Sequence, residues 1–270
     1  MQYGLGLRPA HYDEIIQTKP AIDWFECLTE DFIDFTGPDF LALEKIRRDY
    51  PVSLHGVSLS IGSCDPLNLT YLHDLKKLID HVDPIFVSDH FCWTGVDSIN
   101  THDLLPLPFT REAADHLVSR IDYVQAFLGR QIMLENVSSY AAYMHSEMTE
   151  WEFISEATER AGCFILLDIN NIYVNAFNHE FSTLDYLHGI PVDRVKQFHL
   201  SGHQQHETHI IDTHDTSITD DVWRLYGKAV VRFPNVPLII ERDSDIPPLS
   251  ELMDELEMAK QHTNYLRQQK

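Results

Sequence analysis

Ile132-Met-Leu-Glu135-Asn136, then Thr149-Glu-Trp-Glu152 through Ala161-Gly162, then Cys163-Phe-Ile-Leu-Leu-Asp168: this stretch carries one complete strand–helix–strand unit. Each apolar run is too short for a helix and ends on a carboxylate. Between them, Thr149 with Glu152 three residues on is a helix-starting pair, and Gly162 is a helix stop. Two apolar strands joined by one helix pair in parallel, with a right-handed crossover.

The same unit recurs outward in both directions. Strands are expected at Tyr3–Leu7, Asp23–Leu28, Val52–His55, Ile85–Asp89, Ile132–Glu135, Cys163–Asp168, Val195–Leu200 and Pro237–Glu241. Helical spacing of apolar residues marks Phe40–Asp49, Leu69–His81, Thr110–Leu128, Thr149–Ala161, Asp220–Phe233 and Pro248–Gln268. Eight repeats fit a single (β/α)8 TIM barrel, an α/β fold, over residues 1–270. An open doubly wound sheet fits less well, because no Gly-rich phosphate loop follows the first strand.

Composition narrows the function. The formal net charge is −22, which speaks against a nucleic-acid binder, since phosphate neutralisation needs a Lys/Arg surface. No stretch approaches the ~20 apolar residues of a membrane span. The start, Met1-Gln-Tyr-Gly-Leu, has no basic region leading into an apolar run. Cys27, Cys64, Cys92 and Cys163 form no C-x-x-C pair, and free thiols fit a reducing cytoplasm.

The chemistry is expected at the strand ends. His55, Asp89-His90, Glu135-Asn136, Asp168, His199 and Glu241-Arg242-Asp243 close six of the eight expected strands. In a barrel these positions converge on one face. Any one of them alone reads as a satisfied core histidine or a helix cap. Together they crowd imidazoles and carboxylates into one mouth, where a cation is the natural partner. The loop after His199 adds His203, His206, His209, Asp212 and His214. Asp212 and His214 lie on one side of an extended segment and read as ligands, whereas His206 and His209 read as solvated. Oxygen and imidazole donors without thiolate suit iron, zinc or manganese. His55, His90, Glu135, Asp168, His199, Asp212, His214 and Glu241, with Asn171 and His203 in reserve, are enough for two or three ions. Glu135 and Glu241 can bridge, because a carboxylate has two oxygens. A metal-dependent hydrolase, phosphodiesterase or isomerase and a non-catalytic metal binder remain open at this point.

Pro106-Leu-Pro-Phe-Thr110, Leu134-Glu-Asn-Val-Ser-Ser-Tyr140, Asp168-Ile-Asn-Asn-Ile-Tyr-Val-Asn-Ala-Phe-Asn-His179, His199-Leu-Ser-Gly-His203, Asp212-Thr-His214 and Glu241-Arg-Asp243 resemble the multinuclear non-heme iron-dependent oxidative enzyme family, of the MbnB-like, methanobactin-biosynthesis type. The resemblance implies a TIM barrel of the xylose-isomerase-like kind with two or three irons in a mixed-valent state. It implies dioxygen-dependent oxidation of cysteine in a ribosomally made precursor peptide, presented by a separate partner protein. By position, His55, His90 and Glu135 would hold one metal, and Glu135, Asp168, His199 and Glu241 a second. Asp212 and His214, helped by Asn171 or His203, would hold a third. Asp243, beside Glu241, and Asp89, beside His90, read equally as residues that orient ligands or handle protons and as ordinary loop ion pairs with Arg242 or another base. The ligand order is also similar to that of endonuclease IV, but Asn171 stands where that enzyme has a histidine.

Overall fold

The computed structural model describes residues 1–268. The strands β1 (Tyr3–Gly6), β2 (Trp24–Leu28), β3 (Val52–His55), β4 (Val87–His90), β5 (Met133–Glu135), β6 (Phe164–Asp168), β7 (Val195–Leu200) and β8 (Leu238–Ile240) form one closed parallel barrel in chain order. Closure pairs Tyr3 with Leu238 and Leu5 with Ile240. The strands expected at Val52–His55 and Val195–Leu200 match to the residue, and the others differ only at their ends.

Helices α1 (Tyr12–Thr18), α2 (Gly37–Ile46), α3 (Leu69–Val82), α4 (Arg111–Leu128), α5 (Glu150–Ala161), α6 (Ile169–His179), α7 (Thr183–Gly189), α8 (Asp220–Arg232) and α9 (Leu249–Gln268) follow the strands. Their apolar stripes bury against the barrel, as Leu72, Leu75, Leu78 and Ile79 do in α3 and Leu117, Ile121 and Val124 in α4. Local signals set their ends. Thr149 and Glu152 form a reciprocal capping box, while Gly129 and Gly162 end α4 and α5 at φ of 73° and 66°. No helix among the described residues is long and apolar enough to cross a membrane.

Several elements go beyond the expected pattern, in three kinds. α1 and α7 are short helices of seven residues each, whose apolar spacing is too brief to read. α6 hides because its segment is rich in Asn and β-branched residues, poor helix formers that here face the barrel mouth. The third is an antiparallel hairpin, Trp93–Val96 against Ile99–Leu105, between β4 and α4. It forms one wall of the cavity described next.

Candidate metal centre

The strand register carries the predicted residues to one level. His55 pairs with Ser88, His90 with Glu135, and Asp168 with His199. They meet at the C-terminal mouth, around a cavity of about 510 Å³ lined by Glu26, His55, His90, Glu135, Asn171, Asp212, His214, Glu241 and Asp243, among others.

Glu135 is central and buried. Its Oε2 lies 3.2 Å from His55 Nε2 and 3.3 Å from His90 Nε2, and its Oε1 lies 3.2 Å from His199 Nδ1. Glu241 Oε2 is 3.1 Å from that same His199 Nδ1 and 3.5 Å from His214 Nδ1. Asp212 Oδ1 is 2.7 Å from His214 Nε2. Ligand atoms of His55, Glu135 and His199 lie within 4.8 Å of one another, as do those of Glu135, Asp168, His199 and Glu241. Ligands on opposite sides of one ion at about 2.1 Å are about 4.2 Å apart, so both sets are near the size that an ion draws together. His199 occurs in both sets, yet its Nδ1 can serve one ion only. Its contact with Glu241 favours the second set.

The surroundings fix which nitrogen faces the cavity. His90 Nδ1 is 3.0 Å from the Gly56 carbonyl, which can only accept, so Nδ1 carries the proton and Nε2 keeps its lone pair. His55 Nδ1 donates to Ser88 Oγ at 2.8 Å, and that hydroxyl points its own proton at Leu54 O. Asp168 has two roles. Its Oδ1 caps α6 by accepting the Asn171 N–H at 2.6 Å, while its Oδ2 is buried without a hydrogen bond. Glu135 Oε2 and Asn171 Oδ1 are likewise buried without a well-formed hydrogen bond. Buried acceptors left this way are rare and costly. Glu135 Oε2 faces the Nε2 atoms of His55 and His90, and a cation bound between such groups satisfies carboxylate and imidazole together. The donor set therefore fits a metal.

The electrostatics agree. Burial pushes the Asp168 carboxyl well above the usual range, helped by Glu135 and Asp212. Burial opposes charge on His90, but Glu135 and Asp89 outweigh it and raise the ring to about 9. His55 goes the other way, lowered by burial and by its neighbour His90. In the bare site, shared protons hold the carboxylates together. Metal ions take the place of such protons.

Not every predicted residue joins the cluster. His203 does not line the cavity. Its Nδ1 is 2.7 Å from Asn170 Oδ1, and Asn170 Nδ2 donates to Asp212 Oδ1 at 2.8 Å, so His203 buttresses the Asp212 carboxylate from behind. Asp89 also sits behind the cluster, accepting the Leu59 and His90 backbone N–H groups at 3.0 and 2.7 Å. Burial raises its carboxyl to about 7. Asp243 reaches the cavity, paired with Arg8 and with His214 Nδ1, whereas Arg242 turns away to Glu255 at 3.1 Å. His206 and His209 stack on each other in solvent at 4.8 Å between ring centres. The described cysteines stay out of both ligand sets.

Two functional-looking residues escaped the sequence reading. Arg8 lines the mouth and donates through Nε to Arg242 O at 2.9 Å. Glu26 lies mid-strand rather than at a strand end, with Oε1 2.6 Å from His199 Nε2. The signal was present as one carboxylate inside the apolar run Trp24-Phe-Glu-Cys-Leu28.

Gly202 anchors the ligand-bearing loop. A Cβ there would overlap the backbone oxygen and hydroxyl of Thr216, and the Gly202 carbonyl accepts the His214 N–H at 3.2 Å. Replacing Gly202 by Ala therefore forces backbone apart. We expect a loss of about 1–3 kcal/mol in denaturant unfolding, together with weaker metal binding at His214.

With the geometry in place, comparison with known proteins is informative. The family described as RiPP precursor modification enzyme MbnB/TglH/ChrH matches residues 2–264. The chain belongs to that family. Among its relatives, the UPF0276 protein of Caulobacter vibrioides strain NA1000 is 49% identical over 259 residues, covering 96% of this chain and 92% of the relative. The UPF0276 protein of Rhizorhabdus wittichii is 48% identical, covering 97% and 95%. Solved structures share the fold at low identity. Clostridium cellulolyticum D-psicose 3-epimerase gives a TM-score of 0.64 at 11% identity, covering 98% of this chain and 99% of that one. Thermus thermophilus endonuclease IV gives 0.59 at 11%, covering all of both chains. This member of the MbnB/TglH/ChrH family is thus a TIM barrel, as expected, with the fold of these epimerase and endonuclease structures.

Proposed function

We propose that this chain is a multinuclear non-heme iron enzyme that uses dioxygen to oxidise cysteine residues of a ribosomally made precursor peptide. The observation that carries this is the two-sided contact of Glu135, with one oxygen toward His55 and His90 and the other toward His199. A buried carboxylate with a ligand set on each side is suited to hold two ions close enough to share one reaction. Family membership supports a precursor peptide as the substrate class.

In this reading His55, His90 and Glu135 hold one ion, and Glu135, Asp168, His199 and Glu241 hold the second. Asp212 and His214, with Asn171 beside them, form the third and most exposed position. When bound, the irons supply a thiolate-binding position and the electrons that dioxygen takes up. The chain supplies the rest. Gly56 O and Ser88 Oγ keep the protons of His90 and His55 off the nitrogens that face the cavity. Leu104, Val137 and Tyr140 add apolar surface to the cavity lining. Asp243 accepts from His214 Nδ1 at 3.0 Å and from Arg8, and both partners hold its carboxyl well below the usual range. A carboxylate so committed is a poor base. Its role is to orient His214, while Asp89 holds the His90 backbone through its N–H.

A separate partner that presents the peptide is part of the proposal. Ile99, Tyr140, Tyr143 and Met144 expose apolar surface on the hairpin and loop that flank the cavity, and the charge of −22 suits a basic leader segment.

The test is oxygen uptake by protein loaded anaerobically with ferrous iron and given a synthetic cysteine-containing peptide. We expect oxygen consumption that tracks loss of peptide thiol and a change in peptide mass. No uptake, with hydrolysis of a phosphodiester or isomerisation of a ketose instead, would contradict the proposal.

A further inference from the structure

We infer that Glu26 is a positioning residue that locks His199 in the form able to bind metal through Nδ1. This rests on the metal-centre reading above. Its own evidence is a buried chain of contacts that reaches across the barrel interior.

His199 is buried in the barrel mouth, with Nδ1 facing Glu135 and Glu241. A neutral imidazole has one proton and one lone pair. If the proton sits on Nδ1, it points at the two carboxylates, and no lone pair faces an ion between them. The proton must therefore stay on Nε2. Glu26 Oε1 lies 2.6 Å from Nε2, a charge contact in which only the imidazole can carry the proton. Gln197 Nε2 also lies 2.9 Å from this nitrogen, but it donates to Glu26 Oε2 at 2.7 Å, so the carboxylate, which cannot donate, sets the tautomer.

Glu26 is itself held. Its Oε2 accepts from Ser53 Oγ at 2.9 Å and from Gln197 Nε2 at 2.7 Å. β2, β3 and β7 thus each contribute one member to a set that aims Oε1 at His199. Three donors converge on Glu26, so an amide at this position cannot satisfy them all. In Glu26→Gln the NH2 group faces either Ser53 and Gln197 or His199 Nε2. The second arrangement moves the imidazole proton to Nδ1. Carboxylates that hold ligating histidines in this way typically contribute 10–100-fold to metal affinity.

The experiment is zinc titration of metal-stripped protein, because zinc has no redox chemistry and reports binding alone. For Glu26→Gln we expect the tightest zinc site to weaken by about 10–100-fold, while the melting temperature of the metal-stripped protein stays near the unmodified value. Glu26→Asp keeps the charge and should recover part of the affinity. Ser53→Ala loosens Glu26 without touching the ligand, and a several-fold weakening is expected. In zinc-loaded unmodified protein, the 1H–15N spectrum of histidine rings should show the His199 proton on Nε2. Zinc affinity within twofold of unmodified in Glu26→Gln, or a His199 proton on Nδ1, would overturn the inference. The oxidation reading fails separately, by absence of oxygen uptake in protein that binds metal normally. If unmodified protein binds no zinc, both fall.

Discussion

Glu135→Ala is expected to remove at least one metal ion from the purified protein and to abolish peptide oxidation, while the barrel stays folded. Glu135 is one of the few groups shared by both ligand sets, so its loss weakens both together. Neighbours that only support a ligand typically contribute 10–100-fold to affinity, and a shared ligand should exceed that. Compared in the metal-stripped state, stability should suffer little, because the side chain sits among polar groups at the mouth. Its removal even relieves Asp168, whose carboxyl it pushes up. Glu135→Gln sharpens the test. The amide oxygen can serve one ion, but the amide nitrogen cannot serve the other, so one ion should be retained and one lost. Metal analysis of the purified variants reads this directly. Full metal content in Glu135→Ala would remove the bridging role.

Stripping metal from the unmodified protein should lower its melting temperature markedly. An ion present at 1,000 times its Kd contributes about 4 kcal/mol to the folded state. For a chain of this size each kcal/mol moves the melting point by about 2–4 °C. One ion lost should therefore cost roughly 8–16 °C, with more for a second. The direction with pH follows from the ligands. Imidazole must be unprotonated to bind, so the stabilisation is present near neutrality and is lost as the pH falls. Calorimetry with and without chelator, at two pH values, measures both effects. An unchanged melting point after verified metal removal would mean that the cavity does not couple ions to folding.

Much of this was legible in the sequence for a simple physical reason. A parallel barrel brings all strand ends to one face, so a charged residue closing an apolar run reports its place in space. His55, His90, Glu135, Asp168 and His199 could be placed together for that reason, although up to 144 residues separate them (199 − 55). Glu26 was missed because it sits one turn of the pleat deeper, where the strand-end rule does not look. Arg8 was missed because it follows the first strand in a loop, and its partner Asp243 comes from the opposite end of the chain. α6 was missed because its capping residue, Asp168, already had a reading as a ligand. The structure gives that carboxylate both roles, one for each oxygen. The spacing of His203 suits a ligand, but the fold aims it at Asn170.

The most direct test is anomalous scattering at the iron and zinc edges from crystals of protein purified without added metal. The account predicts one peak between His55, His90 and Glu135 and a second between Glu135, Asp168, His199 and Glu241. A cavity with no peak at either position, in crystals of protein that oxidises a cysteine peptide, would contradict it.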